Sequence, residues 1–236
     1  MWEAFLAIGR ELENALRRGG SEFQHVTLFL QQTLLGTGDA EASVPALRDF
    51  HTVLREYDIP RRRVLNFLDG WSTLLTRASY RDRVQIDAAA KQTGGAVVQC
   101  LAHILGAPKD AAGEPAAALG IAVANLEIIR ALDTFMAMGR LPLPADRLDQ
   151  RNLTVHEASE EELNAFLRAE IERVHETLAL KQALLDALPN DGSQAFVSIL
   201  AARTEELARR LENGATRDVE IAKLEAVGFV LKHRHS

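Results

Sequence analysis

Residues 130–140, RALDTFMAMGR, set an arginine at each end of about three helical turns, with one aspartate between them. Guanidinium forks bind phosphate-like anions, and carboxylates four apart on a helix share a face that can seat a hard cation. The stretch therefore has the chemistry of a metal-and-phosphate site from which most of the acids are gone. Arg130, Arg140 and Arg147 could gather round an anion with no metal at all. Equally, Glu127 or Asp133 could tie up Arg130 in a plain salt bridge, and the spacing allows both.

Other groupings are weaker. Glu22 with His25 and Glu172 with His175 are Glu-x-x-His pairs, the pattern of di-iron helical bundles, which also need a further Glu from each of two other helices. Both residue types are common on exposed helices, so coincidence is the better reading and no metal is assigned. Cys100 and His103 could form a nucleophile and base, but no third group orients the histidine, and a structural thiol beside a half-buried ring fits better. His233-Arg234-His235 reads as a polar tail. The chain has no Gly-rich phosphate loop, no zinc spacing and no Gly-x-Ser-x-Gly turn.

The whole chain sets limits on its partners. Its 33 acids outnumber 27 bases, giving a net charge of −6, the opposite of the basic excess that nucleic-acid binding favours. Arg61-Arg62-Arg63 is the one dense basic cluster, and it reads as a solvated first helical turn. The single cysteine excludes an internal disulfide and suits a reducing compartment. Glu3 and the lack of a basic leader argue against a secretory signal. No uncharged run approaches the roughly 18–20 apolar residues of a spanning helix. The expectation is a soluble cytoplasmic protein, with peripheral membrane contact still possible.

The elements that position these groups are helical throughout. Apolar residues recur at helical spacing nearly everywhere, and Ala, Leu, Glu and Arg dominate long stretches. Phe5, Leu12 and Leu16 begin a helix stopped at Gly19-Gly20; a second covers about 22–35; a third presents Leu47, Phe50, Val53, Leu54 and Tyr57. After YDIPRR a fourth turns Val64, Phe67, Leu68, Trp71 and Leu75 inward. A fifth runs from Asp82 to Leu105 with Gly94-Gly95 inside it, which predicts a close helix crossing or a bend. GAPKDAAGEP reads as a loop, and a sixth helix follows over about 115–138. Ser159 with Glu162 forms a capping box that opens a long helix as far as Leu185. Two more span Ser193 to Glu212 and about Thr216 to Lys232. No strand pattern competes, so residues 1–236 read as one all-α domain.

One stretch also carries a family likeness. ALGIAVANLEIIRALDTFMAMGRLPLPADRL resembles the second signature of the squalene/phytoene synthases, with Gly120, Ala122, Ile128, Arg130, Gly139, Arg140, Leu143 and Pro144 matching in type and spacing. YDIPRRRVLNFLDGWSTLLTRASY resembles the family's Tyr-Gly-Ile-Pro segment with its later Asp-Gly-Met and Arg-Tyr. ENGATRDVEIAKLEAVGFVLKHR resembles its C-terminal helices. The likeness covers about residues 45–234. It implies a helical bundle round a central cavity, with Mg²⁺ ions on two acidic motifs bridging to a prenyl diphosphate.

This chain departs from the pattern where the acids belong. Ala131 and Phe135 stand at the implied aspartates, Thr134 at a glutamate, and Leu74 at a further aspartate. Ala124 replaces an implied glutamine, Glu127 an asparagine, and Ala88 and Ala90 the aromatic residues of the prenyl tunnel. Asp133 remains, roughly 200° round the helix from Ala131. No Asp-x-x-x-Asp precedes Tyr57, where Glu11 and Glu13 are two apart.

Three functions follow as expectations. The first is a protein without the Mg²⁺-dependent activity and with no cofactor, which binds an isoprenoid or other lipophilic molecule, or a protein partner as assembly factors do. Arg130, Arg140 and Glu127 would then be its binding residues. The alternative is an active prenyltransferase with a rearranged site built on Asp69 and Asp133, with Mg²⁺ as cofactor in that case alone. The third is one half of a hetero-oligomer whose partner supplies the acids.

Overall fold

The computed structural model describes residues 52–77, 79–130, 141–145, 160–189 and 193–212, with the separate positions 11, 14, 15, 18, 22, 25–28, 32, 132 and 135. The helix ending at Gly19-Gly20, most of that over 22–35, Ser159 of the capping box and the helix from Thr216 lie outside these residues.

Residues 52–56 are helical and press Val53, Leu54 and Tyr57 against the core. Asp58 then takes a φ of 47°, the left-handed region, at the place where the resemblance has glycine. Pro60 resets the chain and α1 (Arg61–Thr76) begins, with Val64, Phe67, Leu68 and Leu74 buried. Trp71 is half-buried and meets the edge of Phe67 at 6.4 Å. Arg63, from the basic cluster, donates through Nη1 to the Gln99 carbonyl at 3.0 Å.

The expected fifth helix is one path with a defect in it. It consists of α2 (Arg83–Ala90), a π turn (Lys91–Gly95) and α3 (Ala96–Ile104). Asp82 caps α2 by accepting from the Gln85 amide at 3.0 Å. Arg81, which donates to the Asp82 carboxylate, and the Gln85 amide hold that carboxyl below its usual range. Gly106, at φ 82°, ends α3 in a Schellman turn, with Gly106 N on His103 O and Ala107 N on Ala102 O.

Three expectations are corrected here. GAPKDAAGEP is not a loop throughout: α4 (Lys109–Arg130) begins inside it and carries Pro115 in its interior. The alanines round Pro115 favour helix strongly enough to outweigh the missing amide. The helix expected through Leu185 is two, α5 (Glu160–Leu178) and α6 (Lys181–Ala187). Thr177 Oγ1 bonds back to the Arg173 carbonyl just before the break, a contact that bends helices. Two strands also exist, β1 (Ser79–Tyr80) and β2 (Leu141–Pro144), paired in parallel. LPLP cannot continue a helix, and a two-residue strand is too short to show alternation.

The last described helix is α7 (Ser193–Glu212). It is fastened to α5 and α6 by His175 on Glu212 at 3.3 Å and by Lys181 on Glu205. At the centre lies α4, packed against α2, the π turn, α3, α5, α6 and α7. It buries Ala116, Leu119, Ala122, Leu126, Ile128 and Ile129, so apolar residues cover most of its circumference, as in a helix enclosed by others. No helix among the described residues is long and apolar enough to cross a membrane.

Candidate functional site

The candidate site sits on α4, and glycines decide where α4 lies. A Cβ on Gly94 would run into the Gly120 carbonyl oxygen and come within 2.9 Å of Ala124 Cβ. One on Gly120 would strike Gly94 and Gly95 in return. On the far side of the π turn, a Cβ on Gly70 would be 2.6 Å from Gln92 Cβ. Helix α1, the π turn and α4 are thus stacked with their backbones nearly touching, which is the close crossing that Gly94-Gly95 predicts. The π turn supplies the bend as well.

Beyond this stack come the signature positions. Arg130 donates through Nε and Nη2 to one oxygen of Glu127, at 2.9 and 2.7 Å. Their side chains are 34% and 36% exposed. Of the two alternatives left open for Arg130, the structure contains the salt bridge, and its partner is Glu127. Leu74 and Phe135, at implied aspartates, are 6% and 7% exposed and belong to the hydrophobic core. Ala124 is buried against the π turn, Ala90 is buried, and Ala88 is exposed. Asp69 is exposed on α1. Asp133, Arg140, Arg147, Ala131 and Thr134 lie outside the described residues.

These groups do not fit Mg²⁺. That ion demands near-octahedral oxygen ligands, usually one or two carboxylates with water and phosphate. Here the two buried positions are hydrocarbon, and Glu127 is already engaged by a cation. Among the described residues no three His, Cys, Asp or Glu side chains converge in a way that could hold a metal.

A second polar group joins three helices and was not anticipated from the sequence. Arg83 donates through Nε to Asp87 Oδ1 at 2.9 Å and through Nη1 to Glu170 of α5, whose side chain is 5% exposed. Asn125 of α4 adds a long contact, Nδ2 to Asp87 Oδ1 at 3.4 Å, while its own Oδ1 is buried without a partner. A signal for it existed. Asn125 interrupts the buried run of Ala122, Leu126 and Ile129, and Glu170 sits between Leu167 and Ile171 on an inward face. Asn125 lies roughly 140° round α4 from Gly120, whereas Glu127 shares the stripe of Gly120, so the two polar groups occupy different faces.

The remaining constellations are structural. Cys100 is fully buried and its thiol is pushed up to about 12 by desolvation, against a smaller lowering by Arg63. An attacking thiolate needs the reverse. Tyr80 is pushed up to about 12 by the same cause, with Arg77 opposing from 5.4 Å over its ring. Glu172 is exposed, and His175 is spent on Glu212.

The comparisons agree with the signature. The family model for squalene/phytoene synthase matches residues 9–226. In fold the chain is similar to the squalene synthase HpnC from Alicyclobacillus acidocaldarius, with a TM-score of 0.71 and 15% identity over 91% of this chain and 82% of that one. It is also similar to a dehydrosqualene synthase crystallised in complex with ligand, with a TM-score of 0.71 and 13% identity over 98% and 84%. No curated protein matches the chain by sequence.

Proposed function

Because the chain belongs to the squalene/phytoene synthase family, we propose that it uses the family's helical scaffold to bind an isoprenoid-like lipophile and has given up Mg²⁺-dependent condensation. The observation that carries this reading is the burial of Leu74 and Phe135 in the core at positions where the resemblance implies metal-holding aspartates. A diphosphate leaves when hard cations neutralise its charge, and those cations need carboxylate oxygens. Hydrocarbon at the same places favours the prenyl tail and offers nothing to the ion. The arginine that survives is neutralised by Glu127, which weakens its pull on an anion. The alternative, an active prenyltransferase, draws little support from Asp69, which faces solvent on α1.

The test is turnover. Incubation with farnesyl diphosphate, with and without Mg²⁺, is expected to release no diphosphate above a protein-free control. Mg²⁺-dependent release would overturn the reading in favour of the prenyltransferase.

A further inference from the structure

The head group of the bound lipophile can be read from the same site, on the premise that the protein binds such a ligand. Seven residues span nearly two helical turns, so Glu127 continues the stripe of Gly120 and Ala124 just past the π-turn contact. Its Oε2 receives both Nε and Nη2 of Arg130, and the pair carries no net charge. Glu127 Oε1 and Arg130 Nη1 have no hydrogen-bond partner among the described residues, and the pair is about one-third exposed. The turn that follows buries Leu132 and Phe135.

One free acceptor beside one free donor, with zero net charge, complements a group that both donates and accepts. A hydroxyl does both. A diphosphate has only acceptors and several negative charges, and it would lie against the Glu127 carboxylate. The resemblance implies a neutral asparagine at position 127, so glutamate there adds repulsion towards anions where a neutral amide adds none. We infer that the Glu127–Arg130 pair recognises a neutral isoprenoid alcohol through its hydroxyl and rejects the corresponding diphosphate.

Calorimetric titration of the full chain with farnesol and with farnesyl diphosphate, both in EDTA and the same detergent, tests this. Farnesol is expected to bind about tenfold tighter or more. Glu127→Gln removes the charge while keeping size and hydrogen bonding. It is expected to narrow that ratio by about tenfold, through tighter diphosphate binding. Equal or tighter binding of the diphosphate to the unaltered protein overturns the inference, as does a ratio that Glu127→Gln leaves unmoved. If neither compound binds, the lipid-binding reading falls, and this inference falls with it.

Discussion

Two stretches of α4, little more than a turn apart, have been held to different standards. Round Gly120 the helix is locked against the π turn by backbone contact, and the small residues that the family resemblance implies are present. From Glu127 to Phe135 the helix keeps its path while its polar surface has been rebuilt as an ion pair and hydrocarbon. The difference follows from what each end is asked to do. A backbone crossing tolerates no added volume, because the groups in the way are carbonyls and Cα atoms that cannot swing aside. A metal shelf facing a cleft can lose its acids at no cost to the fold, and replacing like charges with apolar groups even removes repulsion.

The largest effect expected from this contrast is at the crossing. Gly94→Ala or Gly120→Ala should cost about 3 kcal/mol or more, or prevent folding. Gly113→Ala on the same helix, where a Cβ meets nothing within 4 Å, should instead gain up to about 1 kcal/mol through helix propensity. Urea denaturation of the three variants checks it, and equal effects at Gly113 and Gly120 would erase the distinction. Next in size is the three-helix polar group. Arg83→Met leaves Glu170 buried without its cation and should cost about 2–3 kcal/mol, less than for a fully enclosed pair because Asp87 reaches solvent. A loss below about 0.5 kcal/mol would class this pair with ordinary surface salt bridges.

The third prediction concerns alkaline pH and sharpens the contrast from the packed side. Folding raises the Cys100 thiol from 9.0 to about 12, so above pH 9 the unfolded chain releases a proton that the folded chain keeps. Stability attributable to this group is therefore complete below pH 9 and declines by about 1.4 kcal/mol per pH unit as pH rises towards 12. Cys100→Ala should flatten that decline in denaturation curves taken between pH 8 and 11. Tyr80 adds a similar slope beginning near pH 10, which Tyr80→Phe would remove.

What could be read from the sequence and what could not divide along physical lines. Helical periodicity placed α1, the path from α2 through α3, and α7, because each buries a continuous apolar face. Gly94-Gly95 announced a crossing because glycine inside a helix is otherwise a penalty. The start of α4 escaped notice because Pro115 signals a break by rule, and only the alanines round it and their neighbours in space say otherwise. The break at residues 179–180 and the β1–β2 pair likewise depend on tertiary contacts. Within the candidate site, Glu127 and Arg130 were legible as a possible pair from their spacing of three. The Arg83–Glu170 contact was not, since its partners are 87 residues apart and only the fold brings them together.

The π turn at Lys91–Gly95 has one further consequence, for insertions and deletions. Its wider hydrogen-bonded ring holds one residue more than a regular turn, and that residue sets the rotational phase between α2 and α3. Deleting any one of the five would let the segment relax to ordinary helix and swing everything downstream by about 100°. Cys100 and Leu101 would leave the interior, and Gln99 would move away from the Arg63 and Gly113 contacts it now makes. Single-residue deletions should therefore be far more damaging here than most side-chain replacements at the same five positions.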